Sequence, residues 1–250
     1  MSQSAPVAPS RLSLCPTRED LPAEPPAGTY VVVDVLYFST TVVELLANDA
    51  ACVHIPLAGS DPAAFKRTNP EALVGGEGTG QEPYAHHDFF NCPSSVQSLD
   101  LADQQTSMMS FNGGRTVADL RAANDATVYV ASSTNAAAVG HELRSATGPI
   151  TLVAAGCDGA VATEDILGAL LVARHATGQP MPDQLREAYA DRFRSLRGPL
   201  EALEAHRRRD ITEFVTALNS REVIPELDGD RLVDSADHVL GQRQRALAQH

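Results

Sequence analysis

The stretch Tyr30-Val31-Val32-Val33-Asp34-Val35-Leu36, with Ser39-Thr40-Thr41 just beyond it, decides how this chain folds. Valines at both odd and even positions describe a strand covered on both faces, since a strand with one wet side would alternate. The hydroxyl run after it predicts a turn into a helix over 41–48. Outward from this unit the pattern recurs. A strand over 52–57 follows, and 72–74 runs into the glycine-rich loop Gly75-Gly76-Glu77-Gly78-Thr79-Gly80. Residues 106–111 lead into Asn112-Gly113-Gly114-Arg115 and a helix to 123, and 127–131 into Ser132-Ser133-Thr134-Asn135 and a helix from near Ala136. Residues 150–155 lead into Gly156-Cys157-Asp158-Gly159 and a helix over 164–175. Strands alternating with helices predict an α/β fold with a mostly parallel sheet, right-handed crossovers and helices on both faces. A weak strand over 11–15 precedes this body, and helices are expected within 182–209 and over 210–218. No Pro/Gly/Ser-rich linker divides the chain, so a single domain is expected over 11–240, with a flexible tail over 1–10 and a frayed end over 241–250.

Composition narrows the function classes. The net charge of −13 argues against nucleic acid as a partner, because displacing counterions from phosphates needs a basic stripe. No apolar run approaches the ~18 residues that cross a bilayer, so no membrane partner is expected. The first ten residues have neither a basic start nor an apolar stretch, which makes the cytoplasm the expected location. Cys15, Cys52, Cys92 and Cys157 form no CxxC pair and read as free thiols. Lys66 stands alone among the cationic residues against the arginines, which fits a protein adapted to concentrated salt and equally a GC-rich coding sequence. Self-association into a homo-oligomer stays open.

In a parallel sheet the carboxyl ends of the strands share one edge, where ligands bind. Asp34, Ser39 to Thr41, Glu77, Asn112 to Arg115, Asn135 and the pair Glu164 and Asp165 are therefore expected on one rim. An acid ending a valine-rich strand must be paired or hold a metal. Thr40 and Thr41 open a helix, where hydroxyls and backbone N–H groups meet an anion or simply cap the helix. Gly113 lets backbone approach a ligand closely, and Arg115 suits a phosphate or sulfonate. Asp34, Glu77, Glu164 and Asp165 are oxygen donors of the kind Mg²⁺ takes. The glycine-rich loop lacks the Gly-Lys-Ser/Thr of a Walker A motif and the GxGxxG dinucleotide fingerprint, which disfavours ATP and NAD. His86-His87-Asp88 and Cys92 offer zinc-ligand types, although adjacent histidines seldom reach one ion. Cys157 reads as a structural thiol, because no histidine is placed to activate it.

In order, these segments resemble the 2-phosphosulfolactate phosphatase family, the Mg²⁺-dependent phosphatases of coenzyme M biosynthesis. The resemblance covers roughly residues 30–175 and continues more faintly to Pro225. It is carried by Val33-Asp34-Val35-Leu36 with Thr40-Thr41, by Gly76-Glu77, and by Asp88 with Asn91-Cys92-Pro93. Asn112-Gly113 with Arg115, Asn135-Ala136, and Glu164-Asp165 with Ala169 complete it. It implies a three-layer α/β/α fold and hydrolysis of a small anionic phosphorylated substrate, with Asp34, Glu164 and Asp165 catalytic. It further implies Mg²⁺ on Asp34, Glu77, Glu164 and Asp165, and substrate contacts from Thr40, Thr41, Asn112, Gly113, Arg115 and Asn135. The chain departs from the family pattern at Tyr37, where an arginine is expected, at Phe90 in place of a glycine, and at Cys92 in place of a serine. Ser110-Phe111 and Gly114 replace threonines. These changes point to a divergent member acting on a related phosphorylated acid, with a non-catalytic metabolite-binding or protein-interacting relative as the alternative.

Overall fold

The valine-rich stretch forms a central strand of a nine-stranded sheet in the computed structural model, which describes residues 5–60, 62–78, 86–123 and 125–236. The strands are β1 (Leu12–Cys15), β2 (Gly28–Val33), β3 (Cys52–His54), β4 (Leu73–Gly76), β5 (Gln105–Met109), β6 (Ala126–Ala131), β7 (Ile150–Ala154), β8 (Pro225–Asp228) and β9 (Arg231–Asp234). Their order across the sheet is β1-β7-β2-β6-β8-β9-β3-β5-β4. The helices are α1 (Phe38–Ala47), α2 (Pro62–Thr68), α3 (Pro93–Val96), α4 (Gly113–Leu120), α5 (Ala136–Glu142), α6 (Thr163–Ala176), α7 (Asp183–Ser195) and α8 (Ala205–Arg209), the last running on into a π-helical turn, Asp210–Val215.

The fold is a three-layer α/β/α arrangement. Alternate residues of β2 serve different layers: Tyr30 and Val32 pack with Phe38, Val42 and Leu45 of α1 and Val117 and Leu120 of α4. Val31 and Val33 pack with Val139 of α5 and Leu171 and Val172 of α6. This double burial is what the unbroken valine run predicts, and the valines of β2 are fully buried.

Five strand pairings are parallel, as expected, and three are antiparallel. The antiparallel ones all involve the β8–β9 hairpin, which sits between the parallel block β1-β7-β2-β6 and the parallel block β3-β5-β4. Three successive antiparallel pairings reverse the strand direction, so the two blocks point opposite ways. The single shared sheet edge expected from sequence is corrected here. Both blocks nevertheless contribute to one core, where Val32 and Val130 meet Val53 and Met108 around α1 and α4. Helix α4 leaves β5 and packs on β2 and β6, which brings its start to the end of β2.

Other differences are local. Helix α1 begins at Phe38, so Ser39, Thr40 and Thr41 lie within its first turn. Residues 5–10, expected as part of a flexible tail, place Val7 in the core, with its N–H bonded to Ala176 O at 2.9 Å. The expected frayed end over 241–250 lies outside the described residues, as do Thr79 and Gly80 of the glycine-rich loop. All four cysteines are free. Among the described residues no helix is long and apolar enough to cross a membrane.

Candidate functional site

Asp34 follows β2 directly and is 5% exposed. Its position is fixed from both sides. Its N–H donates to Ser39 Oγ at 2.9 Å, and its Oδ2 accepts the Gly113 N–H at 2.9 Å. A Cβ on Gly113 would stand 2.4 Å from the Phe38 ring and 2.7 Å from Asp34 Oδ2, so the site needs glycine there for close approach.

Glu77 follows β4, turned into place by Gly76 at φ +102°, where a Cβ would fall 2.0 Å from Met109 O. Its Oε1 accepts from Asn91 Nδ2 at 2.9 Å and its Oε2 from the Phe111 N–H at 3.1 Å. Glu164 and Asp165 open α6 and are both buried. Asp165 commits both oxygens to backbone: Oδ1 accepts from Val35 N at 2.8 Å and Oδ2 from Gly156 N at 3.1 Å, tying the end of β2 to the loop after β7. Glu164 Oε1 meets Arg197 Nη2 at 2.5 Å.

Asp34, Glu77, Glu164 and Asp165 line one pocket of about 200 Å³, together with Asn112 and Cys157. Two cations, Arg197 and Arg207, and Tyr37 also line it. Burial, the nearby Glu77 and then Glu164 push the Asp34 carboxyl from its ordinary 3.8 up to about 7, against the pull of backbone N–H groups on the carboxylate. Asp165 is raised well above the usual carboxylate range by burial and by the neighbouring Asp34. The Cys157 thiol is raised by burial and by Asp158, which keeps it protonated at neutral pH and fits an unreactive thiol.

The other residues singled out from sequence lie elsewhere. Thr40 Oγ1 donates to Val35 O at 2.8 Å and Thr41 Oγ1 to Tyr37 O at 2.9 Å; both residues are fully buried and neither lines the pocket. Asn135 is fully buried as well, accepting from Ser132 N and donating to Val130 O and Val223 O. Arg115 is exposed on α4 and outside the pocket lining. Of the side chains expected to contact an anion, those of Thr40, Thr41 and Asn135 hold backbone in place and that of Arg115 is exposed, and none of the four lines the pocket. Asp88 accepts from Lys66 Nζ at 2.7 Å and from Val74 N at 2.8 Å, while His86 is exposed. Among the described residues no three His, Cys, Asp or Glu side chains are grouped as a metal cage. Arg197 and Arg207 line the site without any motif signal, since single arginines in a charged helical stretch look like a solvated face. Asn91, from the Asn91-Cys92-Pro93 stretch that carries the resemblance, supports Glu77 from behind the pocket.

Asp34, Glu77, Asn112 and the pair Glu164 and Asp165, from separate segments of the chain, thus meet at one pocket. A family model described as 2-phosphosulpholactate phosphatase matches residues 15–227. The chain belongs to this family. Its match spans the strands from β2 to β7 and the helices α1 to α8, so it includes the residues that line the pocket. A protein of Deinococcus radiodurans named "Probable 2-phosphosulfolactate phosphatase" is 35% identical over 147 residues, 58% of this chain and 60% of that protein. One of Pseudothermotoga lettingae with the same name is 34% identical over 137 residues, 55% of this chain and 57% of that protein. A third, of Thermotoga petrophila, is 28% identical over 208 residues, 80% and 88% of the two chains. The matched part thus spans under two thirds of the length of the first two relatives and most of the third.

Proposed function

We propose that this protein is a phosphatase that hydrolyses the phosphate ester of a small organic acid, 2-phosphosulfolactate or a close analogue, and that it uses Mg²⁺. The observation that carries this reading is the convergence of four carboxylates and two arginines on one small pocket. The family name and the printed names of the relatives support the reaction class.

The donor set fits Mg²⁺, which takes one or two carboxylates, keeps several waters and bridges to phosphate, and so needs no cage of three protein ligands. Glu77 and Glu164, the acids on either side of Asp34 in its electrostatics, would hold the ion. Bound there, Mg²⁺ would neutralise charge on the phosphoryl oxygens and acidify a water. Asp34, poised near neutrality, takes the proton of the attacking water as the water oxygen bonds to phosphorus and the ester P–O bond breaks. The same proton then serves the departing alkoxide, leaving an alcohol and inorganic phosphate. Asp165 holds the backbone just after Asp34, at Val35, against the loop after β7, at Gly156. Arg197 and Arg207 offset the charge of the incoming anion. A relative confined to binding an anion would have no use for buried acids that repel it.

Phosphate release from a panel of short phosphorylated acids, with Mg²⁺ and with EDTA, tests the reading. Release that EDTA abolishes is expected. Release that persists in EDTA removes the metal from the account, and a panel without any turnover removes the phosphatase.

A second measurement reads the ion without turnover. In EDTA, folded Asp34 holds its proton up to about pH 7 whereas the unfolded chain releases it near 3.8. The stabilising contribution of that proton is complete below the lower value and is lost as pH rises through the upper one. The thermal midpoint without metal should therefore fall between about pH 5 and 8. The rise produced by Mg²⁺ should be larger at about pH 8 than at about pH 6, because the ion and the proton compete for the same cluster. Scanning fluorimetry checks both trends.

A further inference from the structure

Tyr37 and Phe90 are two places where this chain departs from its family pattern, one replacing an expected arginine and the other an expected glycine. Both rings meet the same side chain. The guanidinium carbon of Arg207 lies 3.7 Å from the Tyr37 ring centroid and 4.8 Å from that of Phe90. Arg207 comes from α8, well over a hundred residues later in the chain. Its Nη1 donates to Asn91 O at 3.2 Å and lies 4.0 Å from Asp210 Oδ2. Asp210 is fully buried, its Oδ1 held by Ser94 N at 3.0 Å and its Oδ2 without a hydrogen-bond partner.

We propose that Arg207, clamped by Tyr37 and Phe90, is the residue that reads a second anionic group, carboxylate or sulfonate, on the substrate. The position of the guanidinium is set by its supports. Both rings lie within cation–π reach of the guanidinium carbon, and the N–H fork of such a group matches a planar or tripodal anion. One donor is engaged by Asn91 O, which leaves others for a ligand in the pocket that Arg207 lines. Asn91 also donates its side-chain amide to Glu77 Oε1 at 2.9 Å, so one residue spaces the reading cation from the acid cluster. A ligand held by its phosphoryl group at the acids and by its second anion at Arg207 would be fixed at two points. Tyr37 thus replaces the missing arginine indirectly, by supporting a guanidinium delivered from another helix. The other pocket cation, Arg197, is engaged by Glu164 and stands closer to the acids in function.

The inference rests on the proposed phosphatase reading for the nature of the ligand, but its test needs no turnover. Calorimetry with phosphonoacetate, which carries a phosphonate and a carboxylate and is not hydrolysed as an ester, is compared with methylphosphonate, which carries the phosphonate alone. Both are titrated at saturating Mg²⁺ into the full-length protein and its variants. The wild-type protein is expected to prefer phosphonoacetate by about 10- to 100-fold, the effect of one charge-assisted pair of hydrogen bonds. Arg207→Ala and Tyr37→Leu should collapse that preference several-fold or more, whereas Tyr37→Phe, which keeps the ring, should retain it. Circular dichroism of each variant separates loss of the clamp from loss of the fold, and Arg207→Lys, which keeps charge but not the fork, should lose most of the preference. A preference that survives in Arg207→Ala, or its absence from the wild-type protein, overturns the inference. Failure of the phosphatase reading would show instead as a wild-type protein that binds phosphonoacetate through Arg207 yet releases phosphate from no ester.

Discussion

Replacing Asp34 by asparagine is expected to lower kcat/KM by about 10²–10⁴ while leaving the thermal midpoint unchanged or higher. The two effects have one cause. Asp34 is buried beside Glu77 and Glu164, and its carboxyl is raised to about 7 because the folded state tolerates its charge poorly. At pH 8 the wild-type protein therefore carries a destabilising charge that the amide does not. The amide keeps the size of the carboxyl, and its oxygen can still accept the Gly113 N–H, so the local backbone is preserved. What it lacks is the capacity to receive a proton from water. Phosphate release and thermal unfolding measured on the same preparation check the pair. A variant that lost activity together with several degrees of stability would show that Asp34 matters for folding instead.

A second large effect lies away from the pocket. Glu44 on α1 is fully buried and pairs with Arg221 through two hydrogen bonds, Nε to Oε1 and Nη2 to Oε2, both 2.9 Å. The Arg221 N–H donates to Thr134 O, so the pair fastens α1 to the segment that leads into β8 and to the loop after β6. Removing Arg221 would leave the Glu44 carboxylate in the interior beside the Gln97 amide, at 3.2 Å, without a cation to match its charge. Arg221→Ala is accordingly expected to cost about 3 kcal/mol, a fall of roughly 6–12 °C in thermal midpoint for a chain of this size. Glu44→Gln, which leaves the half-exposed arginine to water, should cost less. Adding Glu44→Gln to Arg221→Ala should recover part of the loss, because the stranded charge is then gone. Urea unfolding of the three variants measures the ordering.

Much of the scaffold was legible because burial leaves a periodic trace. The valine run of β2, the β-branched residues of β6 and β7, and the strand–helix alternation all follow from double coverage of the sheet. Asp34 stood out as one acid ending an apolar strand, and Glu77 as an acid behind two glycines. The hydroxyls were ambiguous. A threonine in a first helical turn can face a ligand or bond back to a carbonyl, and only the burial of Thr40 and Thr41 decides between them. The β8–β9 hairpin escaped notice because its strands are short and partly charged, although Asp228-Gly229-Asp230, with Gly229 at φ +63°, is a turn signal. With the hairpin unseen, the reversal of strand direction between the two blocks was invisible too. Arg207 acts through tertiary neighbours that local sequence does not encode.

The placement of that hairpin bears on how the protein is made. β8 and β9 leave the ribosome after the seven other strands, yet they occupy the middle of the sheet. A nascent chain that has reached residue 220 holds two half-sheets whose facing borders, along β6 and β3, have nothing to pair with. Until the hairpin is translated, those borders invite pairing with a neighbouring chain. Translation must pass the hairpin before the two halves can be zipped into one molecule.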